Sequence, residues 1–69
     1  MSISEIAFRF SLVLNTLKDK TNGAKIANLQ RYVRDEMFYC IKNKIPSQEF
    51  YSDTKKYIED ELNGGGYAA

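Results

Sequence analysis

An all-α fold, a small three-helix bundle, is what this sequence predicts, and three observations carry the prediction. In three separate stretches apolar residues recur at steps of three and four, the rhythm of a helix with one buried face rather than the alternation of a strand. Two short segments rich in helix-breaking residues, Asp19–Gly23 and Ile45-Pro46-Ser47, divide the stretches, and such short connections favour antiparallel neighbours. At 69 residues, with 43% apolar and 28% charged content, the chain has the composition of one globular domain. The expected helices lie near 3–19, 24–44 and 48–63, with 1–63 as a single helical domain and 64–69 as a flexible tail.

The first helix begins with Ser2 and Glu5 at the spacing of a capping box, in which each side chain takes up the other residue's backbone N–H; Ser4 is a second possible cap. Turning by about 100° per residue, Ile3, Ile6, Ala7, Phe10, Val13, Leu14 and Leu17 cover one face. Phe8 and Leu12 lie one turn apart on nearly the opposite side, among Ser4, Ser11 and Asn15. A helix apolar on two faces is ordinarily covered on both.

Asp19–Gly23 reads as a turn, and Thr21 or Asn22 can cap the next helix. Gly23 and Lys25 stand at that helix start without the spacing of a phosphate-binding loop. The second helix carries the stripe Ile26, Leu29, Val33, Met37 and Cys40, edged by Tyr32 and Tyr39, whose rings are expected to be buried and their hydroxyls wet. Its far side holds Ala27, Arg31, Arg34, Phe38 and Lys42. Cations around an exposed aromatic can take phosphates while a base stacks on the ring.

Pro46 disfavours helix at Ile45, and Ser47 is the expected N-cap of the third helix. There Phe50, Tyr51, Thr54, Tyr57, Ile58 and Leu62 form an inner face, and Gln48, Ser52, Asp53, Lys55, Lys56, Glu59 and Asp60 a polar outer one. Gly64 suits the left-handed cap that follows a helix end. The final Ala68-Ala69 resembles the end of the peptide tag that marks stalled bacterial translation products for proteolysis, which implies a degradation signal. The expected core is Ile3, Ile6, Phe10, Val13, Leu14, Leu17, Ile26, Leu29, Val33, Met37, Cys40, Phe50, Ile58 and Leu62.

Net charge is +1, but residues 18–44 sum to +4 and 45–69 to −3. The chain holds no histidine and a single cysteine, Cys40, so no nucleophile–base pair, disulfide framework or metal-ligand cluster can be assembled from the usual residue types. Together these patterns predict no enzyme, no cofactor, no metal and no small-molecule substrate. They predict a cytoplasmic protein, because Glu5 and Arg9 interrupt the apolar N-terminal run and leave neither a signal peptide nor a membrane span. The leading expectation is a protein-interaction module, a regulator, inhibitor or assembly factor, binding a protein partner or itself as a homodimer through Phe8, Leu12, Ser11 and Asn15. The alternative is a nucleic-acid-binding domain using Arg31, Arg34, Phe38 and Lys42. The size and helical plan are similar in style to small phage and bacterial accessory proteins.

Overall fold

The computed structural model describes residues 1–20 and 22–64. Among them are three helices, α1 (Ile3–Thr16), α2 (Gly23–Lys42) and α3 (Ser47–Leu62), and no strand. The tail from Gly65 onward, with its Ala68-Ala69 signal, lies outside the described residues, as does Thr21.

The helix ends show local chemistry setting the boundaries. At α1, Glu5 N–H donates to the Ser2 hydroxyl at 3.1 Å and Ser2 N–H to the Glu5 carboxylate at 2.9 Å, a complete capping box. These bonds, the Ser2 N–H first, hold the Glu5 carboxyl below its ordinary pKa. The helix closes at Thr16, short of the expected Asp19. Leu17, Lys18 and Lys20 donate back three residues, to Leu14, Asn15 and Leu17. That is the tightening of a last turn, and Lys18-Asp19-Lys20 offers no apolar side chain to extend it.

Asn22 caps α2, its side-chain oxygen accepting from Ala24 N–H at 2.8 Å and Lys25 N–H at 3.2 Å. The helix stops at Lys42 rather than Lys44, because Lys44 turns into the left-handed region at φ 56°. There Ile45 N–H reaches the Cys40 carbonyl at 2.9 Å and Lys44 N–H the Ile41 carbonyl at 3.3 Å. This paired arrangement satisfies carbonyls left open at a helix end.

At α3 the expected cap is corrected. Pro46 occupies the N-cap position, Ser47 is already helical, and no side chain caps the helix. The Pro46 carbonyl accepts from Glu49 and Phe50 N–H, both at 3.1 Å, so the ring that excludes helix at Ile45 also starts the next one. The other end closes at Gly64 with φ 103°.

Ile6, Ala7, Leu14, Ile26, Leu29, Val33, Cys40, Phe50 and Ile58 form the buried core with Thr54. Ile3, Phe10, Leu17, Met37, Ile45 and Leu62 pack against it, half-buried. α1 packs most extensively on α2, and α3 closes the far side of both. Lys25 ties α2 to α3, its ammonium donating to the Glu61 carbonyl at 2.7 Å.

Two expected core or edge positions turn outward, and Tyr51 and Tyr57, expected on the inner face of α3, are also more than a third exposed. Val13 is exposed, because the Tyr51 ring lies stacked on Phe10 at 5.8 Å and leaves Val13 on the wall of an open groove. Tyr39 is exposed as well, whereas Tyr32 finds a partner in Tyr57, ring on ring at 3.9 Å. No such ring faces Tyr39 among the described residues.

Candidate functional site

The seam between α1 and α2 collects the residues singled out for function. Gln30 fixes its register, donating from Nε2 to the Ser11 carbonyl at 3.2 Å. Around that bond the surface dips into a shallow groove lined by Ser4, Ala7, Phe8, Ser11, Val33, Arg34 and Met37. Ala7 and Val33 form its buried floor, while Phe8 and Arg34 stand as exposed walls from opposite helices. Residues expected to serve two different surfaces, Phe8 with Ser11 and Arg34, therefore line one site.

Helical periodicity extends this face along both walls. On α1, Leu12 follows Phe8 by one turn and Asn15 follows Ser11 by one turn, and both are exposed. On α2, Phe38 follows Arg34 and Ile41 follows Met37 at the same spacing. Phe8 is 63% exposed, Phe38 59% and Ile41 49%, so the apolar surface is not a rim of core residues but side chains that largely face water. Arg31 and Lys42, also exposed, lie further round α2 beside Phe38. Ile41 and Met37 were not among the expected site residues. Ile41 lies three residues from Phe38, close enough on a helix for the spacing itself to identify it.

The electrostatics of the face are positive and lightly compensated. Arg34 Nε sits 3.4 Å from the Asp35 carboxylate, with both side chains more than half exposed, a pair worth less than about 1 kcal/mol. This is the one ion pair among the described residues. Glu5, on the outer side of α1, is engaged in its capping box. The carboxylates of Glu59, Asp60 and Glu61 at the end of α3 form no ion pair with α2 among the described residues.

A second groove opens between α1 and α3, walled by Met1, Ile6, Arg9, Phe10, Val13 and Tyr51. It is the place where Val13 emerges, and the helix-face reading missed it by assigning Val13 to the core. Elsewhere the reactive groups are spoken for or enclosed. Burial pushes the Cys40 thiol up from its ordinary pKa, with Glu36 adding to the effect, which makes it a poor nucleophile. Lys25 spends its ammonium on the α3 terminus and not on a ligand at the start of α2.

Among the described residues no group of three or more Cys, Asp or Glu side chains could hold a metal ion, and no helix is long and apolar enough to cross a membrane. Compared with protein-family models, with curated proteins and with solved structures, the chain gives no match.

Proposed function

We propose that this chain is a small non-enzymatic protein-interaction module of the cytoplasm, a regulator, inhibitor or assembly factor, and that it binds through the α1–α2 face. One observation carries the reading: Phe8, Leu12, Phe38 and Ile41 are all exposed on two adjacent helices beside a groove with an apolar floor. Side chains of this size, half or more exposed, leave on the order of 400 Å² of apolar surface. Patches of that extent on small proteins commonly mark interaction sites. Ser11 and Asn15 supply polar groups at its margin, as interface rims do.

The test is a pair of measurements on the intact protein and on Phe8→Glu/Leu12→Glu. Light scattering at several concentrations reads self-association, and affinity capture reads heterologous partners. The double variant is expected to fold and to lose whichever association the parent shows. A folded variant with unchanged mass and unchanged capture would overturn the proposal.

A nucleic-acid-binding reading is favoured by a separate observation, the exposed Phe38 ring among the exposed cations Arg31, Arg34 and Lys42. Such binding would weaken steeply with salt. A gel shift at low ionic strength, with DNA and RNA, decides it, and absence of retardation excludes it. The branched aliphatic side chains of Leu12 and Ile41 favour a protein surface, since they offer bases no flat ring on which to stack.

A further inference from the structure

We infer that the occupant of the α1–α2 face is an amphipathic helix of another protein whose apolar stripe is flanked by acidic residues. The inference rests on the interaction reading above and adds the chemistry of the partner. The groove and its flanking side chains run along two packed helices, and the stretch from Arg31 to Lys42 covers about 16 Å of helix axis. Three turns of a partner helix match that length. Apolar side chains at steps of three and four would meet Phe8, Leu12, Phe38 and Ile41, the mode in which amphipathic helices fill grooves.

Charge decides between the possible partners. Arg31, Arg34 and Lys42 border the apolar patch on the α2 side, with Asp35 as a weak counter-charge beside Arg34 and the exposed Glu5 carboxylate one turn before Phe8 on α1. Consider a second copy docking this face on itself. Two-fold symmetry places the same patch on both sides, so an antiparallel pairing centred on Phe38 sets Arg34 of one copy against Lys42 of the other. Like charges across an interface oppose association. A second copy could instead offer its acidic α3. That helix exposes Glu49, Asp53 and Glu59 but also Lys55 and Lys56, which bring two more cations, and its exposed rings, Tyr51 and Tyr57, are already stacked within the chain on Phe10 and Tyr32. A foreign helix with an apolar stripe and Asp or Glu along one side satisfies both features at once.

The experiment uses three fluorescent amphipathic peptides of about 18 residues, long enough to be helical on contact. They share one leucine stripe and carry glutamate, lysine or glutamine on the flank. Anisotropy is measured against the intact protein at low and high salt. The glutamate peptide is expected to bind about tenfold more tightly than the glutamine one, and the lysine peptide more weakly than both. The preference should shrink at high salt. Arg31→Glu/Arg34→Glu should reverse the order, and Phe8→Glu/Leu12→Glu should abolish binding by all three.

Equal affinity for the three peptides, abolished by Phe8→Glu/Leu12→Glu, would overturn the acidic preference and leave the interaction reading standing. No binding of any peptide, or self-association of the protein through this face, would overturn the helix partner. Competition of the glutamate peptide by a single-stranded oligonucleotide at low salt, with the oligonucleotide the tighter ligand, would assign the face to nucleic acid instead.

Discussion

Leu12, Val13 and Leu14 are consecutive and apolar, yet they are 51%, 59% and 1% exposed. Truncating each to alanine separates the two kinds of apolar surface on α1. Leu14→Ala empties a space enclosed by the core, at a cost of about 2–5 kcal/mol. A domain of this length has a total stability of about 3–10 kcal/mol, so the loss lowers Tm by about 10 °C or more. Leu12 has half its surface in water already. Full burial of a leucine is worth about 1.5–3 kcal/mol, so Leu12→Ala forgoes at most about 1.5 kcal/mol, part of it offset by the better helix propensity of alanine. Val13→Ala removes a β-branched side chain from an exposed helical position, and its effect falls within about 0.5 kcal/mol, on the stabilising side. Urea unfolding followed by far-ultraviolet circular dichroism measures all three, and an unchanged slope lets the midpoints be compared directly. A loss at Leu12 equal to that at Leu14, or a Val13→Ala loss above about 1 kcal/mol, would refute the assignment of this arc of α1 to solvent.

Two further predictions concern the scaffold. Lys44 adopts φ 56° without being glycine, so Lys44→Gly relieves a backbone cost of about 1–2 kcal/mol against a smaller entropic loss; thermal melting should rise by about 4 °C, and a fall would show that the Lys44 side chain contributes more than its backbone strain costs. Tyr32 has its phenol pushed up to about 12 from the ordinary 10.0, by burial first and the neighbouring Glu36 next. Its folded pKa is raised, so the stability it confers is complete below pH 10.0 and is lost as pH climbs through about 12. Alkaline titration by tyrosinate absorbance should show a late-ionising step that Tyr32→Phe removes and Tyr57→Ala advances. Absence of that step would contradict the stacked arrangement.

What was legible in the sequence follows from how each feature is encoded. The three helices and most of the core are written in one-dimensional periodicity, as at Ile26, Leu29, Val33 and Cys40, which all lie buried at the expected steps. Caps are equally local: Ser2 with Glu5 and Asn22 act as their positions foretell. The failures are tertiary. Val13 shares the apolar arc of α1, yet it stays exposed on the wall of the α1–α3 groove, beside Tyr51. Tyr32 and Tyr39 are equivalent by spacing, and they part because Tyr57 comes to one and not the other. Ser47 is a good cap by type, but Pro46 fixes the backbone one residue earlier. The candidate surface was legible in pieces, Phe8 with Leu12 and Arg34 with Phe38. The meeting of Phe8 and Arg34 in one groove depends on the antiparallel register of α1 on α2, which no local pattern encodes.

Of the exposed large apolar residues, Phe8, Leu12, Phe38 and Ile41 lie on the α1–α2 side, while Met1, Val13 and Tyr51 border the α1–α3 groove and Tyr39 and Tyr57 lie elsewhere. The backbone trace measures 32 × 26 × 16 Å, its thinnest dimension that of two packed helix layers. In a three-helix arrangement each helix keeps an arc away from its neighbours. On α3 that arc is polar, with Gln48, Ser52, Lys55 and Lys56 exposed, as a solvated face should be. On the α1–α2 side the corresponding arc carries Phe8, Leu12, Phe38 and Ile41. A chain selected only to stand alone in water has no use for aromatic and branched aliphatic residues there, since each offers surface for aggregation without adding to the core. In the proposed complex, a partner helix laid along the α1–α2 seam would cover these four residues, with Arg31, Arg34 and Lys42 at the rim to select its flank by charge.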